Sequence, residues 1–175
     1  MNSLEVMEIV IHKKDIKREV KKMAKRICKE HKASGNNLPP VMLCVLNGAF
    51  MFFTDLVKNM DIDVQIDFIR AKSYDGQDNS GGVKILKDIE LDLKGKMVYI
   101  IEDIIDTGAT MLEILQSVND KMPQEVTIVT LVQRKKCFMS IDHYCFDIGD
   151  EWIVGYGLDD YSLKRNYRNV YKINE

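Results

Sequence analysis

A chain of 175 residues, 46% hydrophobic and 30% charged, is long enough to bury the core of one ordinary globular domain. Twenty-five basic against 27 acidic side chains leave a net charge of −2, which argues against a nucleic-acid-binding face or a polybasic membrane anchor. No stretch reaches the roughly 18 apolar residues of a membrane span, the N-terminus has no signal-peptide pattern, and four scattered cysteines form no C-x-x-C pair, so a cytoplasmic setting is expected.

In chain order, Asp15 to Lys32 reads as an amphipathic helix, with Ile16, Val20, Met23 and Ile27 at three- and four-residue intervals. The turn-forming cluster from Ala33 to Asn37 and the pair Pro39-Pro40 stop it. Val41 to Leu46 is a continuous apolar run, the pattern of a strand covered on both faces, and Asn47-Gly48 ends it. Ala49 to Asn59 reads as a helix and Val64 to Ile69 as a strand. The polar stretch from Ser73 to Gly82 holds three glycines and reads as a loop. Met97 to Ile101 is a second buried strand, Met111 to Val118 marks a helix face, and Val126 to Val132 is a third buried strand. Short strand-like pieces and the lone tryptophan follow Tyr144. The lysine clusters, Lys135-Lys136 among them, read as solvated faces. This alternation implies an α/β fold with a mainly parallel central sheet flanked by helices. Ligands then bind beyond the carboxyl ends of the strands, at Asn47-Gly48, Glu102-Asp103 and Gln133-Arg134.

The richest of these places is the stretch VYIIEDIIDTGATM over residues 98–111. A buried strand ends in two carboxylates, a turn carries Asp106, Thr107 and Gly108, and a helix begins with Thr110 in its first turn. Backbone amides at a helix start make a phosphate cradle, and Gly108 lets the chain approach a ligand closely. Glu102 and Asp103 beside that cradle suit sugar hydroxyls, met directly or through a bound Mg²⁺. A sugar phosphate satisfies both demands. Asp106 stands either as a plain helix N-cap or between sugar and phosphate. The P-loop pattern and the glycine fingerprint of dinucleotide folds are absent.

The segment from Ile101 to Thr110 resembles the phosphoribosyl pyrophosphate signature of the type I phosphoribosyltransferases, in the EDIIDTG form of the hypoxanthine-guanine enzymes. The likeness continues through VLNGAFMF at 45–52, DFIRAKSY at 67–74 and VGYGLDDY at 154–161. The resemblance implies one domain over 1–175, with a core over about 35–135 and a hood over the strand ends built from the N-terminal segment and 136–175. It implies transfer of the 5-phosphoribosyl group of phosphoribosyl pyrophosphate to N9 of hypoxanthine or guanine, with Mg²⁺, in a homodimer or homotetramer.

By the same resemblance, Asp106 is the proton acceptor, and the 5′-phosphate lies on Asp106, Thr107, Gly108, Ala109 and Thr110. Glu102 and Asp103 hold the ribose hydroxyls and a Mg²⁺, and Asp159 holds a second Mg²⁺ carried by pyrophosphate. Leu46, Asn47 and Gly48, with a cis peptide between the first two, and Arg165 bind pyrophosphate. Trp152 stacks on the purine, Ile153 reads its edge through the backbone, and Arg134 contacts the C6 oxygen. Ser73 and Tyr74 belong to a loop that closes over the reaction. The sequence departs from the family pattern twice. Arg134 stands where lysine is usual, with Lys135 able to serve if the loop shifts by one, and Asn47 replaces a common cation. A regulator that senses phosphoribosyl pyrophosphate without catalysis is the competing expectation.

Overall fold

The computed structural model describes residues 7–74 and 82–173, with the side chains of residues 73 and 74 also left undescribed. Its main sheet holds β2 (Val41–Leu46), β3 (Gln65–Tyr74), β4 (Gly82–Lys87), β5 (Met97–Ile105), β6 (Glu125–Arg134) and β7 (His143–Ile148), after β1 (Met7–Ile11) earlier in the chain. The order is β4-β3-β2-β5-β6-β7, and every pairing is parallel except β3 with β4. Three helices connect these strands: α1 (Lys13–Ala33), α2 (Phe50–Lys58) and α3 (Ala109–Asn119).

The continuous apolar runs are explained by burial on two faces. Along β2, Met42 and Cys44 join one core cluster while Val41, Leu43 and Val45 join another; along β5, Tyr99 and Ile101 face the first and Val98 and Ile100 the second. Successive strand side chains point to opposite faces, so both parities must be apolar when helices cover both sides. The first cluster is closed by Ile16, Val20 and Ile27 of α1 and Phe52 and Leu56 of α2, the second by Met111, Ile114 and Val118 of α3. α1 starts two residues before the expected Asp15, because the ring of His12 accepts the Lys14 N–H at 3.2 Å and caps the helix.

The polar stretch read as a loop from Ser73 is strand at both ends. β3 runs on to Tyr74 and pairs antiparallel with β4, Tyr74 opposite Gly82, while residues 75–81 lie outside the described residues. Asp67 organises the far end of this hairpin. Its buried carboxylate accepts N–H groups from Phe68 at 2.7 Å, Glu90 at 2.7 Å and Leu91 at 2.8 Å, with Lys87 at 3.4 Å.

A second, three-stranded antiparallel sheet, in the order β1-β9-β8, unites the two ends of the chain through β8 (Ile153–Val154) and β9 (Val170–Ile173). Its residues Ile11, Ile153 and Val170 belong to the core cluster that α1 closes. Tyr156 ties this unit to α2, its hydroxyl donating to Asp55 at 2.7 Å. The parallel strands β2, β5, β6 and β7 all end at the same edge of the main sheet, which brings Leu46, Ile105, Arg134 and Ile148 to one side.

Candidate active site

At that edge lies a cleft of about 860 Å³, lined by Leu46 of β2 and Gly48 just beyond it, by Glu102 and Asp103 of β5 and Asp106 on the turn that follows, and by Arg134 of β6. Trp152, Ile153, Asp159 and Arg165 line it from the side of the small sheet. A smaller cavity of about 200 Å³ adjoins it, formed by residues 102–111. Glu102, Asp103, Asp106 and Thr110 line both.

The small cavity is a cradle of backbone. Gly108 is the N-cap of α3 in the left-handed conformation at φ 103°, and no acidic residue occupies the first turn of the helix. A β-carbon at Gly108 would strike the side chain of Met139, and Phe138 N–H donates to Thr107 O at 3.3 Å, so the segment after β6 packs down on this turn. The Thr107 hydroxyl accepts from Ala109 N–H at 3.4 Å. The helix-cap reading of Asp106 is thereby overturned: Gly108 is the cap, and the Asp106 side chain is 52% exposed and lines the cavities. Residues 107–111 at the positive end of α3 line the cavity, so the turn can receive an anion.

Glu102, half-buried, and Asp103, buried, form an acidic pair at the floor of the cleft. Burial, the mutual repulsion of the two carboxylates and the hydrogen bond between them push Glu102 well above its ordinary range; burial also raises Asp103, partly offset by local hydrogen bonds and the charge of Arg165. Glu102 Oε1 accepts Asp103 N–H at 3.0 Å and Asp103 Oδ1 accepts Ile104 N–H at 2.8 Å, so both side chains are aimed by their own backbone. Gly48 lies directly against Asp103, where a β-carbon would overlap the carboxylate, and Gly157 lies in turn against the Gly48 carbonyl. The peptide between Leu46 and Asn47 is cis. Among the described residues no cluster of three or more metal-ligating side chains exists, so a hard divalent cation held here would take its remaining oxygens from a substrate or water.

On the opposite wall, Asp159 and Arg165 are paired at 2.7 Å; Asp159 also accepts Ser162 N–H at 2.8 Å and Arg165 donates to Gly157 O at 2.6 Å. Trp152 is 60% exposed at the cleft, and its carbonyl accepts Ile173 N–H at 3.1 Å, which fixes the indole's backbone to β9. Arg134 is buried. It donates to the carbonyls of Gly149 and, at 3.0 Å, Glu151, and its Nε lies 3.1 Å from Asp106 Oδ1.

The structure thus gathers most of the expected residues around the two adjoining cavities. Asn47 is exposed and does not line the cleft, and the side chains of Ser73 and Tyr74 fall outside the described residues. Lys135 is exposed and lines neither cavity. Lys136 is exposed, as the solvated-face reading expects, but it also makes an ion pair that reading did not foresee: its Nζ lies 3.1 Å from Asp106 Oδ1 and 3.8 Å from Asp150. Nothing local in the run RKK distinguishes it, because its partner comes from the turn after another strand.

A model of the phosphoribosyl transferase domain matches residues 8–161. The chain is 36% identical over 173 residues to a hypoxanthine-guanine phosphoribosyltransferase of Aquifex aeolicus, covering 97% of this chain and 96% of that protein. It is 33% identical over 170 residues to a hypoxanthine-guanine-xanthine phosphoribosyltransferase of Tritrichomonas foetus, covering 95% and 90%. A crystal structure of a hypoxanthine phosphoribosyltransferase from Staphylococcus aureus superposes with a TM-score of 0.88 at 31% identity, covering 99% of this chain and 96% of that one.

Proposed function

Since this chain belongs to the phosphoribosyl transferase domain family, we propose that it transfers the 5-phosphoribosyl group of phosphoribosyl pyrophosphate to N9 of hypoxanthine or guanine, giving IMP or GMP and pyrophosphate. The observation that carries this reading is the position of Asp106, which lines both the amide cradle and the larger cleft and so stands where a sugar phosphate would meet a base. The cradle from Asp106 to Thr110 takes the 5′-phosphate on the amides at the start of α3. Glu102 and Asp103 take the ribose hydroxyls. Their mutual repulsion and all-oxygen chemistry fit a Mg²⁺ between them and the substrate, where it would neutralise charge on the pyrophosphate as that group leaves.

Leu46, Gly48 and Arg165 border the place for pyrophosphate, and Asp159 beside Arg165 is the candidate for a second Mg²⁺ carried with it. Trp152 offers its face to the purine, Ile153 its backbone to the base edge, and Arg134 lines the same wall. In the reaction N9 bonds to the anomeric carbon, the bond from that carbon to pyrophosphate breaks with its electron pair on oxygen, and the N7 proton passes to Asp106. A placed base of this kind contributes about 10²- to 10⁴-fold.

Purified protein given Mg²⁺, phosphoribosyl pyrophosphate and hypoxanthine forms IMP; silence with hypoxanthine, guanine and xanthine alike refutes the proposal. Asp106→Asn lowers kcat by about 10²-fold while the KM for the donor changes little. An unchanged kcat in that variant removes Asp106 from the chemistry.

A further inference from the structure

We propose that Lys136 is a positioning residue for the proton transfer: with Arg134 it holds the Asp106 carboxylate by Oδ1, leaving Oδ2 to take the N7 proton. The inference rests on the reading of Asp106 as the proton acceptor. Lys136 Nζ and Arg134 Nε each approach Asp106 most closely at Oδ1, and both distances are 3.1 Å. The last torsion of an aspartate is soft, so a carboxylate on an exposed turn rotates unless it is anchored. One cation would leave it free to swing about that contact. Two cations converging on one oxygen restrain both its place and its plane.

The two anchors differ in kind. Arg134 is buried, and its other nitrogens are spent on the carbonyls of Gly149 and Glu151, so its guanidinium is a fixed strut. Lys136 is 49% exposed and reaches Asp106 from the solvent side, with Asp150 3.8 Å away. Both cations therefore join the turn that carries Asp106 to residues 149–151, immediately before Trp152. The separation between the proton acceptor and the wall proposed to hold the purine is set by these links. A single flexible ammonium at position 134 could not span Asp106 and two carbonyls as the planar fork of Arg134 does. As the purine N9 bonds to the anomeric carbon and pyrophosphate departs with the electron pair, the N7 proton moves to Oδ2, and Asp106 becomes the neutral acid held in the same place.

Steady-state kinetics on the full chain with Mg²⁺, phosphoribosyl pyrophosphate and hypoxanthine test this. Lys136→Met lowers kcat about tenfold and leaves the donor KM within about twofold, since a misplaced group costs rate rather than binding. Lys136→Arg restores most of the loss. In the Asp106→Asn background, Lys136→Met costs nothing further, because the group it positions is already gone. A wild-type kcat in Lys136→Met, or an equal loss in both backgrounds, overturns the assignment while leaving Asp106 in its role. If Asp106→Asn itself keeps full kcat, the reading of Asp106 and the role of Lys136 fall together, and the two failures are told apart by that single variant.

Discussion

Gly48 shows how a single hydrogen in place of a methyl shapes the site. Its α-carbon lies so close to the Asp103 carboxylate that alanine there must displace the acidic pair or the cis loop. Gly48→Ala is expected to destabilise the fold by about 1–3 kcal/mol, the usual cost of overpacking, and to raise the KM for phosphoribosyl pyrophosphate. Denaturant unfolding together with a donor titration checks both, and a variant with wild-type stability and KM would show that the loop yields freely. The sequence marks Asn47-Gly48 as the end of a strand, but the glycine's partner lies on β5 and cannot be read from neighbouring residues. Asp106 is the converse case. Its residue type and place after a buried strand mark it as a candidate for chemistry, while the cap role is excluded by Gly108, whose left-handed φ puts the helix start beyond it.

At the scale of elements, β3 and β4 were the least legible. The alternation expected for β3 stops at Ile69, yet the strand continues to Tyr74 and finds an antiparallel partner in β4, whose pattern of alternating exposed and half-buried residues was not assigned to any element. An edge hairpin of this kind is held as much by its cross-links as by apolar burial, and Asp67 is the chief of them. Burial raises its carboxyl, but the N–H groups of Leu91, Phe68 and Glu90 and the charge of Lys87 outweigh that and hold it below the ordinary range. Asp67→Ala takes the carboxylate acceptor from the part-buried N–H groups of Phe68, Glu90 and Leu91. A loss of about 2–4 kcal/mol is expected, measured by urea unfolding; Asp67→Asn, which keeps an acceptor, costs less. A neutral Asp67→Ala would mean that water replaces the carboxylate there. By contrast α1, α2 and α3 were legible to within a few residues, because their apolar stripes and turn boundaries are written in adjacent positions.

For the whole molecule, the acidic pair makes stability and function pull in opposite directions. Glu102 and Asp103 both bind protons more tightly folded than unfolded. Their contribution to stability is therefore full at low pH and is lost as pH rises from the ordinary carboxylate range of about 4 through the raised folded values. Glu102→Gln removes one charge and keeps an oxygen for the Asp103 N–H. Without divalent cation at neutral pH, this variant is expected to melt about 2–4 °C above wild type for each kcal/mol of relieved repulsion. The gain shrinks as pH falls toward 4, and the variant's donor binding weakens. Taking the difference between the two proteins cancels the opposite trend from Asp67, whose contribution is present above the carboxylate range and lost as pH falls. A lower melting temperature for Glu102→Gln at neutral pH would show that the pair is not under electrostatic strain.

Local order along the chain determined most of the strand and helix succession, the doubly covered sheet and the gathering of carboxylates, hydroxyls and glycine over residues 102–110, because hydrophobic period and turn chemistry act between near neighbours. Only the tertiary structure decided that Lys136 and Arg134 converge on Asp106, that Gly48 abuts Asp103, and that the two ends of the chain pair as β1 and β9 beside the cleft. Those relations join segments distant in sequence. They depend on how parallel strands bring their carboxyl ends to one edge, which no residue expresses alone.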